Sequence, residues 1–497
     1  MKRTLLLTVA LSSTIAAAHA ADWTPPKVPD PIPDNLSWNG ITVIGALDLG
    51  YAYQTNGRPL GSVVSGLEYS PFTTTRNYTG QSISTIAHSG LQQSFLGLKI
   101  EEPLGAGWEA IGRADTGVDP LRGTLSDGCS SFIQNAGVVY TAQNSNADSG
   151  RCGQVFNGQL WGGVANNQYG TLTIGRQNSL ELDNIAKYDP MELSYAFSLL
   201  GYSGTNGGMG STQAARWDNS AKYVYDFNGF VHVGGMYSQG GNDTGFFGDS
   251  YGLNIGGAYR GFAIDATYTK EHGAVNLQSS VNDPLNATTL AANISDNSAW
   301  SVMAKYTFNL GGGYAPPAPY PTKAAVKALP QQDKLILFAG YTNISQTNPD
   351  TPVTFGGAAG GYTLTSTPGV LPDNNAFTTA KVLDFVWVGA RYELAWGLSF
   401  TGAYYHVNQN AYIADSSPCV AGGASKGDCA GAYDQVSFLT DYALNKHLDV
   451  YAGATWARVT DGLASGFPGT PGAKFGFAGT GTSIDTATVM TGLRIKL

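Results

Sequence analysis

Residues 159–190 read QLWGGVANNQYGTLTIGRQNSLELDNIAKYDP. Two short segments of alternating apolar and polar residues flank a turn that ends at Gly170. A period of two marks a half-buried strand, and a short Gly-containing connection joins two such strands as a hairpin. The hairpin then delivers, after Arg176, an acidic stretch without a regular pattern. A membrane β-barrel that narrows its own lumen requires such a hairpin and such a loop. The expectation carried outward is a channel with this loop as its constriction.

On the N-terminal side, SFLGLKIEEPLGAGWEAIGRAD (94–115) repeats the pattern around a turn at Pro103 to Gly107. Leu96, Leu98 and Ile100 would face lipid, and Lys99 and Glu101 the interior; in the partner, Trp108 and Ala110 oppose Glu109, Arg113 and Asp115. Farther back, ITVIGALDLGYAY (41–53) places Ile41, Val43, Leu47, Leu49, Tyr51 and Tyr53 on one parity, with its aromatics at one end. That is a lipid-facing strand with an interfacial girdle.

Toward the C-terminus the rhythm continues through RWDNSAKYVYDFNGFVHVGGMY (216–237), YGLNIGGAYRGFAIDATYTK (251–270), AWSVMAKYTF (299–308), KLILFAGYT (334–342), KVLDFVWVGARYEL (381–394) and WGLSFTGAYYHV (396–407). Three last strands begin near Gln435, Leu448 and Asp485. The count is about sixteen, with short turns at one end and long loops at the other. About ten residues at ~3.3 Å each, tilted ~45°, cover roughly 23 Å, close to the ~25 Å apolar band of an outer-membrane barrel. The expected fold is all-β: a transmembrane antiparallel barrel of about 16 strands, with short periplasmic turns and long extracellular loops.

Composition agrees. Of 497 residues only 13% are charged, while Gly (65) and Tyr (27) are abundant, which suits aromatic-rich strands joined by turns. Lys2 and Arg3 precede an apolar run from Leu5 to Ala18, and Ala18-His19-Ala20 fits a signal-peptide cleavage site. Removing that segment moves the formal charge from -9 to about -11, against a nucleic-acid partner. Beyond it no apolar run reaches the ~20 residues of a spanning helix, so a membrane location requires a closed barrel. The expected division is a signal peptide at 1–20, a Pro-rich periplasmic lead-in at 21–40 and one barrel domain at 41–497. Cys129 and Cys152 flank one polar loop, Cys419 and Cys429 another. Local pairing as loop disulfides is favoured among the connectivities open to four cysteines, and their spacing is not that of a metal site.

The segments SFLGLKIEEPLGAGWEA, FNGQLWGGVANNQYGTLTIGRQ, RWDNSAKYVYDFNGF and the closing TGLRIKL resemble, in order and spacing, the trimeric general porins of Gram-negative outer membranes, especially the neisserial and Burkholderia type. The resemblance implies a sixteen-stranded barrel, a third loop inside the lumen, here Asn178 to about Ala215, a basic cluster on the facing wall, and a homotrimer. The sequence departs from the family pattern at Phe95, where a basic residue is common, and at the terminal Leu497, where Phe is usual. A Pro-rich stretch from Asn309 to Asp333 replaces a short turn, and several loops are long.

Selectivity in a water-filled barrel follows from the charges around its narrow zone. The loop offers Glu181, Asp183, Asp189 and Glu192; the wall offers Lys99, Arg113, Arg216 and Lys222 on the polar parity of their strands. Arg176 shares the parity of Leu172 and Ile174, which would point it at lipid, and a bulge at Gly175 is expected to turn it into the lumen. The function expected is passive diffusion of small hydrophilic solutes and ions across the outer membrane, with no cofactor, no metal and no catalytic role. The alternatives are a substrate-selective channel, an outer-membrane enzyme, or an adhesin acting through its loops. No dense lumenal ladder, Ser/His/Asn set or HExxH spacing marks the first two, and GGAAGG (356–361) lacks the Lys-Ser/Thr ending of a phosphate loop.

Overall fold

Strand β11 (Ser250–Tyr259) illustrates why these segments become wall. Tyr251, Leu253, Ile255 and Tyr259 stand exposed on one face, whereas Ser250 and Asn254 are buried on the other. A strand that shows leucine outward and hides serine has lipid outside, where each backbone group must be paired and the sheet must close. Tyr251 and Tyr259 bracket the apolar span and mark its two interfaces.

The computed structural model describes residues 36–55, 69, 82–126, 154–201, 215–227, 229–240, 248–279, 290–311, 332–352, 370–375, 377–412, 430–460 and 483–497. The segment expected to be a signal peptide, most of the Pro-rich stretch after it, all four cysteines, GGAAGG and most of the Pro-rich stretch after Asn309 lie outside the described residues.

The wall begins with β1 (Ser37–Trp38), β2 (Ile41–Gln54), β3 (Ile83–His88), β4 (Phe95–Gly105), β5 (Trp108–Asp119), β6 (Thr124–Leu125), β7 (Leu160–Asn166) and β8 (Gly170–Asn178). A helix, α1 (Leu180–Tyr188), follows β8. The chain then continues with β9 (Arg216–Phe227), β10 (Val231–Ser238), β11, β12 (Phe262–Ser279), β13 (Leu290–Asn309), β14 (Lys334–Thr347), β15 (Val370–Asp373), β16 (Lys381–Glu393), β17 (Leu398–Gln409), β18 (Gly431–Ala443), β19 (Leu448–Thr460) and β20 (Ser483–Lys496). Sixteen of these form an antiparallel ring, which closes where β20 meets β2 from Ala46↔Lys496 to Gln54↔Thr488. β2 divides its other edge, pairing Ile41–Ala46 with β4 and Leu49–Gln54 with β3. Tight turns join β4 to β5, β7 to β8, β9 to β10 and β11 to β12 at one end; the opposite, long-loop end is the outer end.

The inner face is not uniformly polar. Leu383, Phe385 and Trp387 of β16, Tyr405 and Val407 of β17 and Tyr433 of β18 point inward and are buried. They share one apolar cluster with Ile185, Tyr188, Met191, Phe197, Leu199 and Leu200 of the segment after β8. Part of the core therefore lies inside the barrel, between wall and loop.

Gly340 on β14 makes room for this cluster. A methyl group there would sit 2.0 Å from Trp387 Cζ2, and the Trp387 indole donates to the Tyr188 carbonyl at 3.0 Å. Gly340→Ala is expected to displace the indole and cost about 1–3 kcal/mol, seen as a lower urea midpoint of the detergent-solubilised barrel. Gly402→Ala, where a methyl group meets nothing within 4 Å, should leave the midpoint in place.

Candidate pore constriction

The segment expected to be irregular begins as a helix. Ser179 caps it, its hydroxyl accepting from the Leu182 N–H at 3.1 Å; Glu181 and Asp183 lie in the first turn and Lys187 in the last, each where the helix dipole favours its charge. Leu180, Glu181, Asn184, Ile185 and Tyr188 form the buried face. Ser179 followed by that spacing was the available signal. The helix ends at Asp189, and Pro190 cannot continue it.

The buried face docks on inward wall residues. Glu181 accepts from Thr269 (3.0 Å) and Ser301 (2.5 Å), Asn184 donates to Thr267 at 2.8 Å, and the Tyr188 hydroxyl donates to Asp265 at 2.5 Å. Beyond the helix, the Asp189 carboxylate accepts from Tyr405 (2.5 Å), Ser198 (2.6 Å) and the N–H groups of Leu193 (2.7 Å) and Met191 (3.2 Å). Burial pushes the Asp189 carboxyl up from its ordinary value, against the pull of these four donors, and burial lowers the Lys187 ammonium. Gln435 then donates to the Phe197 carbonyl at 2.9 Å, and the Ala196 N–H reaches the Gly90 carbonyl at 2.9 Å. The segment thus runs along the inside of the wall from β8 as far as the stretch before β4.

Two of the four candidate acids meet a wall cation. Lys222 Nζ lies 2.8 Å from Asp183 Oδ2 and 3.0 Å from the Asn178 carbonyl. Glu192 pairs with Arg391, whose guanidinium also donates to the Pro190 carbonyl. Glu192 and Leu193 both adopt left-handed backbone, φ 54° and 57°, so the chain turns sharply where that pair forms. The other two acids do not face open lumen. Glu181 and Asp189 are each 1% exposed, because their carboxylates fasten the segment to the wall.

Among the candidate bases, Lys99 and Arg113 stand opposite each other on β4 and β5. Lys99 pairs with Glu101 at 2.7 Å; Arg113 pairs with Asp115 at 2.5 Å and lies 6.0 Å from the Phe95 ring centroid. The expectation for Arg176 is corrected. Gly175 does adopt φ 132° at a register shift, but the extra residue falls in β9, since Gly175 and Gln177 oppose Ser220 and Trp217. Arg176 therefore keeps the parity of Leu172 and Ile174, opposite Leu160. Its charge is tolerated near the strand's outer end by Asp218 at 2.6 Å and the Gly158 and Asn157 carbonyls. Gln177 turns inward instead, buried and bonded to Thr173 at 2.5 Å. Arg216 opens β9 opposite Asn178, whose side-chain amide donates to Asp183 at 3.0 Å.

Arg391, Lys305 and Arg494 are inward cations that the alternation pattern did not single out. Arg391 sits among apolar neighbours in its strand, Lys305 Nζ donates to the Lys187 carbonyl at 3.0 Å, and Arg494 near the C-terminus donates to Asp449 and, at 3.1 Å, to Gln92. Glu192, Arg391, Asp441 and Arg494 line a narrow cavity together with Leu91 and Met191. Its charged lining is thus two acids and two bases.

A family model described as Gram-negative porin matches residues 6–462. The anion-selective porin from Comamonas acidovorans is similar in fold, with TM-score 0.53 at 14% identity, over 92% of this chain and 99% of that one. The outer-membrane expressed OmpT of Vibrio cholerae matches with TM-score 0.50 at 13% identity, over 93% and 100% of the two chains. The trimer form of in-vitro folded OmpT gives TM-score 0.50 at 13% identity, over 92% and 99%. No curated protein sequence matches the chain.

Proposed function

Because the chain belongs to the Gram-negative porin family and so forms an outer-membrane channel for passive diffusion, we propose that the segment from Ser179 to Gly201 sets its size limit and its ion preference. The observation that carries this reading is that the segment is held inside the barrel and brings Asp183 to Lys222 and Glu192 to Arg391. Charges fixed across a narrow aqueous path bias which ions and small hydrophilic solutes enter. Lys99 and Arg113 act on the wall of the same path. The barrel has no catalytic role, and its working form is a homotrimer. The trimer form of the structurally similar OmpT supports that assembly.

Planar-bilayer recording under a salt gradient tests the reading. Asp183→Asn should move the reversal potential toward anion preference, since it unmasks Lys222. Glu181→Gln should leave it in place, because that carboxylate is bonded to Thr269 and Ser301 and not to the path. Absence of conductance in the wild type would sink the channel reading. An unchanged reversal potential in Asp183→Asn would remove Asp183 from the constriction.

A further inference from the structure

At the outer end β12 carries a bulge. Its register with β13 shifts between Glu271 and Ala274, which oppose Asn297 and Ser295, and Gly273 takes φ 64°. Bulges re-aim side chains, and this one sets His272 over Asp296. His272 Nδ1 lies 3.4 Å from Asp296 Oδ2, and the Gly273 N–H donates to Asp296 Oδ1 at 2.8 Å. Asp350, just beyond β14, arrives at the same point, its N–H donating to Asp296 Oδ2 at 3.1 Å. One ligand atom each from His272, Asp296 and Asp350 lies within 4.8 Å of the other two.

We propose that His272, Asp296 and Asp350 bind one divalent transition-metal ion of the zinc class, tying the segment after β14 to the β12–β13 rim. Two carboxylates and one imidazole give the cluster a net negative charge, and Asp296 is only 3% exposed. An imidazole with two carboxylates is a ligand set for zinc, whereas calcium and magnesium take oxygen alone. Ligand atoms around a tetrahedral ion at ~2.0–2.2 Å are roughly 3.5 Å apart, so closing the site needs about 1 Å of movement, which the exposed Asp350 carboxylate supplies by rotation. The Gly273 and Asp350 N–H groups meanwhile orient the Asp296 carboxylate, as second-layer donors do in metal sites. Neighbouring strands and the loop beyond β14 supply the ligands, at separations of 24 and 54 residues, so no spacing motif marks the site.

The test is calorimetric titration of the tag-free, chelator-stripped mature protein in detergent, after thiol alkylation. One Zn²⁺ per protomer is expected, with Ca²⁺ about tenfold weaker or worse. His272→Ala and Asp350→Asn should each weaken Zn²⁺ by about tenfold or more. Asp350→Asn alters an exposed side chain, so it reports on binding even if the bulge does not tolerate His272→Ala. Wild-type protein that binds no Zn²⁺, binds Ca²⁺ as tightly, or loses nothing in Asp350→Asn would overturn the proposal.

Discussion

Asp189→Ala should widen the channel. The carboxylate gathers four donors, two of them backbone N–H groups of the turn after the helix, which cannot rotate toward water. Leaving these two without an acceptor costs about 2 kcal/mol or more, before the Tyr405 and Ser198 hydroxyls are counted. That cost falls on the loop and not on the ladder, since the sixteen strands keep their pairing. The barrel should therefore stay folded, with unchanged heat-modifiable mobility, while the segment leaves the wall. Single-channel conductance should rise by about twofold or more with added open-channel noise, and larger sugars should enter proteoliposomes in swelling assays. Asp189→Asn should fall between, because one of its two terminal atoms still accepts. Conductance unchanged in Asp189→Ala would mean that the apolar cluster around Trp387 and Phe197 holds the loop alone.

Arg391→Glu is expected to give the largest change in selectivity. The arginine faces Glu192 and the Pro190 carbonyl, with Glu393 at 3.8 Å and the Phe338 ring 5.7 Å away. Reversing it changes the local charge by two units and leaves Glu192, Glu393 and the new carboxylate together at the cavity. At an effective dielectric near ~20, charges ~4 Å apart interact by about 4 kcal/mol, more than enough to redirect ion preference. The cation-to-anion permeability ratio should rise by about threefold or more at low salt and relax toward the wild-type value at ~1 M, where screening shortens to ~3 Å. Arg391→Gln should give a smaller shift in the same direction. A ratio unmoved in Arg391→Glu at low salt would place the selective zone elsewhere, with Lys99 and Arg113 the next wall cations to reverse.

The strands were legible because lipid imposes a rule on every one of them. Leu96, Leu98 and Ile100 face outward and Lys99 inward as alternation requires, and Tyr51 and Tyr53 are exposed at one end of β2. The same rule assigned the hairpin 160–178 and the loop that follows it. At Arg176 alternation held and the expected exception to it did not, because a register shift was foreseen but its strand was not. Alternation describes one chain, whereas a bulge belongs to a pair, and the extra residue went to β9.

Sequence by itself determined the barrel and its strand number, because lipid outside the wall leaves a period-two record in each strand, while the inserted segment was implied by the resemblance to general porins and not by periodicity. Only the tertiary structure decided which charges of the inserted segment meet the wall. Once the segment docks, the inner wall acquires a second buried surface. Phe385, Trp387 and Tyr405 then become proper inward residues, Glu181 and Asp189 become fasteners, and Arg391 becomes the partner of Glu192. No periodicity along the chain encodes that surface, since its partners lie up to 238 residues apart and meet only when the barrel has closed around them.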